Sequence, residues 1–163
     1  MVAPVPTEAR VTIYLMRHAR AGRRSAWDGP DEARPVSKVG RRQAKGLAEE
    51  LVDAGISVIL SSPYVRCRQT VEPLAKALDL RIDVTEALTE GAGLDGVLAL
   101  LGGYPDEHLV ACTHGDIALL VLARVRADGV KLRAPKTEKG SVWALEHTGD
   151  RFTSATYHRP PDD

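Results

Sequence analysis

Four short runs rich in aliphatic and β-branched residues, 11–16, 56–60, 80–84 and 109–112, alternate with segments whose apolar residues recur three or four positions apart. That alternation constrains the chain most. A strand followed by a helix returns to its sheet in parallel and right-handed, so helices cover both faces. The first run, Val-Thr-Ile-Tyr-Leu-Met, reads as a strand buried on both sides. Residues 37–53 place Ala44, Leu47, Ala48, Leu51 and Val52 on one helical face, with Ser37 as N-cap and Gly55 beyond the end. Ser61-Ser62-Pro63 opens a second helix, with Pro63 in its first turn and Val71, Leu74, Ala75 and Leu78 as the buried stripe. Residues 94–101 and 117–125 read as two more helices, the latter apolar enough to be buried throughout. Residues 141–147 and 152–157 flank Thr148-Gly149-Asp150 and read as an antiparallel hairpin. The expected fold is a three-layer α/β/α sandwich, its central sheet mostly parallel with an antiparallel C-terminal hairpin.

A chain of 163 residues suits one domain. Its expected extent is 11–158, between a frayed arm at 1–10 and a tail at 159–163. Lysine plus arginine balance aspartate plus glutamate at 22 each, which argues against a nucleic-acid polymer as partner. The balance is not local: positions 17–24 hold four arginines and no acid, so a neutral body carries an electropositive pocket. Cys67 and Cys112 make no disulfide framework and read as small buried hydrophobes. The opening residues lack a signal-like apolar stretch, and no run is long enough to span a bilayer. The expectation is a cytoplasmic protein with no membrane partner.

In open parallel sheets ligands bind beyond the carboxyl ends of the strands. Arg17-His18-Ala19, Ser61-Ser62 and Thr113-His114-Gly115 all fall there. Arg17 and Arg66 supply guanidinium forks that grip phosphoryl oxygens two at a time. A charged His114 counts most when charge develops on those oxygens. A neutral His18 can attack phosphorus in line and form a phosphohistidine, which water then hydrolyses. Neither His-x-x-x-His nor Cys-x-x-Cys occurs, and carboxylates do not cluster, so no metal and no cofactor are expected. Arg68 follows Arg66 by two and points elsewhere on a helix. Residues 19–36, with Arg23, Arg24 and Trp27, read as a long solvated loop. His108, His147 and His158 lie outside any motif, and Trp143 is expected to pack in the hairpin face.

Arg17-His18-Ala19, the run from Ser61 through Arg66-Cys67-Arg68-Gln69 to Thr70, and Thr113-His114-Gly115-Asp116 resemble, in order, the three signatures of the histidine phosphatase superfamily, the phosphoglycerate-mutase-like fold. Arg34-Pro35-Val36-Ser37 is similar to that family's entry into its first helix, and the likeness spans about 11–157. It implies that His18 is the phosphorylated nucleophile, that Arg17, Arg66 and His114 form the phosphate pocket, and that Arg20 touches the phosphate or its neighbours. It places the general acid at Glu90, with Glu86 the neighbour open to confusion. Ala19 departs from the family's usual glycine. That form, on a short chain, resembles the phosphohistidine phosphatases of the SixA type and the phosphatase domain fused behind Nudix domains in some bacterial nucleotide-handling enzymes. The substrate implied is a phosphorylated small molecule, a nucleotide or a phosphohistidine protein. The alternative from another class is a regulatory module that binds phosphate without turnover.

Overall fold

The computed structural model describes residues 10–161, so nine of the ten residues of the expected N-terminal arm lie outside the described residues. Among the described residues the chain runs β1 (Val11–Arg17), α1 (Lys38–Leu51), β2 (Val58–Ser61), α2 (Val65–Leu78), β3 (Ile82–Val84), α3 (Leu94–Gly102), β4 (Leu109–Thr113), α4 (Gly115–Ala127), β5 (Val142–Thr148) and β6 (Arg151–His158). The sheet order is β3-β2-β4-β1-β5-β6. The first four of these are mutually parallel, and β5 and β6 are antiparallel additions.

Alternation along each strand divides the core in two. Ile13 and Leu15 of β1 and Leu109 and Ala111 of β4 join Val97, Leu101, Ile117, Val121 and Val125 on the α3–α4 side. Met16, Val110 and Cys112 join Leu47, Leu51, Cys67, Val71 and Leu74 on the α1–α2 side. The helix after β1 therefore covers one face and the helix after β4 the other, although these strands are neighbours. Their two connections part at the carboxyl edge and open a crevice between β1 and β4.

Three local readings change. Strand β2 begins at Val58, two residues late, because Ser57 N spends its hydrogen bond on His108 O outside the ladder. Helix α2 begins at Val65, so Pro63 stands outside it; Tyr64 is extended (ψ 137°), and its N–H is taken by the Ser62 hydroxyl at 3.2 Å. Helix α4 is buried on one side only. Ile117, Ala118, Val121, Leu122 and Val125 face the sheet, while Leu119 and Leu120 stay 45% and 38% exposed. No described helix is long and apolar enough to cross a membrane.

Ser37 caps α1, its hydroxyl accepting from Gly40 N at 3.1 Å. The Arg20 carbonyl accepts from Ser37 N at 2.9 Å and lies directly against Gly40. A Cβ at Gly40 would run into that oxygen. Gly40→Ala is expected to lower stability by about 1–3 kcal/mol through this overlap. Gly96→Ala, in α3 with nothing within 4 Å of the added carbon, should raise it by roughly 0.5–1 kcal/mol. Urea midpoints of the two variants, moving in opposite directions, check the packing.

Candidate active site

The pairing of Arg17 with Thr113 ends the β1–β4 ladder, and His18 N donates to Thr113 O at 3.0 Å. One bond thus sets the nucleophile candidate beside the residue preceding His114. The imidazoles of His18 and His114 meet edge to face with centroids 5.5 Å apart. The His18 side of the contact is braced at Ala19, whose N–H donates to Thr70 Oγ1 at 2.9 Å.

His18 is 5% exposed, and its Nδ1 lies 2.8 Å from Ala19 O. With the proton on Nδ1, that carbonyl accepts it and Nε2 keeps a free lone pair. Burial pushes His18 down to about 3; the Ala19 carbonyl opposes this, and repulsion from Arg66, His114 and Arg17 reinforces it. The ring is therefore neutral near pH 7, the state a nucleophile needs.

His114 caps α4 in an extended conformation. Its Nε2 stands 2.9 Å from Ser62 Oγ and 3.6 Å from Cys67 Sγ, and its ring packs on Tyr64 at 4.6 Å. Nδ1 is buried and has no hydrogen-bond partner. Five buried side-chain polar atoms of the described residues lack a partner, and three of them are His114 Nδ1, Arg17 Nε and Arg66 Nε. Buried polar atoms are ordinarily satisfied, and these three belong to side chains whose charges all act on His18.

The guanidiniums are held from behind. Arg17 Nη1 donates to Thr137 O at 2.6 Å, and its Cζ would lie 3.1 Å from a Cβ at Gly115. Arg66, 1% exposed, gives Nη1 to Asp31 O (2.9 Å) and Nη2 to Asp31 Oδ2 (3.1 Å), and stacks over Tyr64 at 4.8 Å. Asp31 also binds Arg34 Nε at 3.0 Å. Burial raises the Asp31 carboxyl, but Arg34 and Arg66 outweigh it and hold it below the ordinary carboxylate range.

Of the two acids, Glu90 faces the cations, with Oε2 3.9 Å from Arg66 Nη2, and its charge also favours ionised Arg17. Glu86 is exposed and accepts from Thr89 Oγ1 at 3.1 Å. The crevice thus gathers His18, Arg17, Arg66, His114 and Glu90. Arg20 stands at its margin: the backbone N–H binds Gln43 Oε1, and the residue lines a neighbouring cavity. Arg68 is exposed and donates to Pro63 O, as its helical position predicts. His108 Nδ1 accepts from Thr12 N, a structural use. Trp143 donates to Lys136 O and packs on Tyr157 in the hairpin. Among the described residues no three His, Cys, Asp or Glu side chains gather to hold a metal ion. The sequence reading missed Asp31 and Tyr64. Tyr64 sits inside the Ser61–Thr70 run and was open to notice; Asp31 lies in an aperiodic loop, 35 positions from the arginine it serves.

Residues 13–96, about half of the chain, match the histidine phosphatase superfamily, branch 1. The chain belongs to that superfamily. The match includes Arg17, His18, Arg66 and Glu90 and stops short of His114, which the fold returns to the same crevice. Across 98% of its length the chain is 35% identical to the 8-oxo-(d)GTP phosphatase of Mycolicibacterium smegmatis, but it spans only 51% of that protein. Among solved structures it is similar to the protein histidine phosphatase SixA complexed with tungstate (TM-score 0.75, 19% identity, 91% of this chain and 95% of that one). It is also similar to a mycobacterial glucosyl-3-phosphoglycerate phosphatase complexed with VO3 (TM-score 0.71, 17% identity, 91% and 97%). Both share the superfamily's fold.

The depressed His18 predicts a stability profile. Below pH 6.5 an unfolded histidine takes up a proton, whereas folded His18 resists until about pH 3. The unfolded state binds more protons, so stability falls as pH drops through that window, by up to about 1.4 kcal/mol per pH unit. Urea unfolding between pH 7 and 4 should show a steeper loss in the wild type than in His18→Gln; parallel curves would contradict the assignment.

Proposed function

We propose that this domain is a phosphatase that passes a phosphoryl group through His18 and needs no metal ion. The observation that carries the reading is a buried, neutral His18 whose ring meets that of His114 and which feels the charge of Arg17 and Arg66, three side chains that each keep an unpartnered buried nitrogen. Phosphoryl oxygens satisfy those nitrogens. His18 Nε2 attacks phosphorus as the bond to the leaving group breaks, and the leaving atom departs with the electron pair. Glu90 gives that atom a proton. Its carboxylate then takes a proton from the water that attacks phosphorus, breaking the P–N bond and freeing phosphate and a neutral His18. The guanidiniums and His114 meet the charge that spreads over the phosphoryl oxygens, a role a divalent cation fills elsewhere.

The relative that matches 98% of this chain is by name a phosphatase of 8-oxo-(d)GTP, which supports a phosphorylated nucleotide or similar metabolite as the substrate class. A binding module without turnover has no use for a desolvated, neutral histidine aimed at the anion.

Rapid quenching with a 32P-labelled substrate is expected to leave an acid-labile, base-stable label on His18. Label on Cys67 or a serine would overturn the assignment. Turnover is expected to survive excess chelator and to vanish in His18→Ala. Glu90→Gln should slow an alkyl phosphate about 100-fold or more, and a phosphohistidine substrate far less, since its leaving nitrogen departs more easily. Equal effects on the two would remove Glu90 from the acid role.

A further inference from the structure

Arg20, Gln43, Lys139 and Arg159 line a cavity of about 760 Å3 beside the crevice, which the chemistry at His18 leaves unused. Its walls are tied to the backbone of the nucleophile. Gly140 N donates to both Arg17 O (3.2 Å) and His18 O (3.0 Å), so Lys139 follows the nucleophile's position. Gln43 clamps the two rims together, accepting from Arg20 N at 2.9 Å and donating to Lys139 O at 3.2 Å. The backbones of Arg20 and Lys139 are therefore fixed on either side of one mouth, adjoining His18.

Cations outnumber acids in that mouth, Arg20, Lys139 and Arg159 against Glu138. Lys139 is pushed down first by partial burial and then by Arg17, Arg34, Arg20 and Arg66. Its ammonium thus shares a field with the cations of the catalytic crevice. The one acid among the described residues of the cavity wall, Glu138, faces three cations there, and its charge adds to burial in pushing up the Tyr157 phenol. A single phosphoryl group against His18 employs Arg17, Arg66 and His114, and leaves Lys139 and Arg20 repelling their neighbours. A second anion in the adjoining cavity relieves that repulsion.

We propose that this cavity is a second anion subsite, in which Lys139 and Arg20 hold the inner phosphoryl group of a substrate carrying two or more phosphates in series while the terminal one lies against His18. The inference deepens the phosphatase reading and rests on it. Attack by His18 Nε2 forms the P–N bond to the terminal phosphorus and breaks that phosphorus's bond to the bridging oxygen. The oxygen leaves with the electron pair as part of the shortened phosphate chain, where Lys139 and Arg20 offset the added charge. Water then returns His18 to its free form and releases phosphate. Such a leaving group needs little protonation, so Glu90 matters less for it than for an alkyl ester.

Calorimetric titration with methylenediphosphonate, a two-phosphorus probe that cannot be hydrolysed at its bridge, and with inorganic phosphate tests the subsite at fixed ionic strength. Lys139→Met is expected to weaken methylenediphosphonate about tenfold, the loss of one charge-assisted contact, and to leave phosphate within about twofold. Lys139→Arg should restore the diphosphonate affinity. An equal loss for both probes, or no loss for either, would overturn the subsite. Turnover of a simple monoester by the wild type judges the His18 reading separately, since the titration measures binding alone.

Discussion

The hydrogen bond from His18 N to Thr113 O is the contact on which the rest of the site depends. It closes the parallel ladder of β1 and β4 at the edge where their helices part to opposite faces. Two histidines nearly a hundred positions apart then lie edge to face, with no loop needed to carry either inward. A slip of the ladder by one residue would turn His18 and its neighbours to the other face of the sheet. The core on both faces guards that register, since Ile13 and Leu15 would trade places with Met16.

The second constraint is electrostatic. Arg17, Arg66 and His114 crowd around His18, and burial disfavours charge on Arg17 and on His18. Unpartnered buried donors cost about 1–3 kcal/mol each, and the fold keeps three. Asp31 reduces the cost without neutralising the pocket. Its carboxylate and carbonyl hold Arg66 from behind and leave Nε open, while Arg34 shares the same carboxylate. Burial, reinforced by repulsion from Arg66, His114 and Arg17, keeps His18 neutral.

The fold was largely legible because alternation of strand and helix leaves few topologies, and because Ser37 caps α1 where the reading put it, although the helix closes at Leu51 with Val52 as its C-cap, ahead of Gly55. Readings failed where tertiary contacts override local signals. Pro63 looked like a first-turn proline, but the Ser62 hydroxyl takes Tyr64 N and delays the helix. The apolar run of α4 suggested full burial, yet the sheet can cover only one side of a helix. In the site, strand-end histidines and the Arg66 run announced themselves through position. Asp31 did not: nothing in Gly29-Pro30-Asp31 reports an arginine 35 residues on. Lys139 was equally silent, because its role follows from Gly140 pairing with the His18 backbone rather than from any motif.

The central claim is that two imidazoles and two guanidiniums surround one phosphorus. A crystal structure of the domain with orthovanadate tests it most directly. The account predicts vanadium bonded to His18 Nε2, with its oxygens within hydrogen-bond distance of Arg17, Arg66 and His114 Nδ1. Vanadate bound away from His18, or bound there with Arg66 still turned wholly to Asp31 and His114 Nδ1 out of reach, would contradict it.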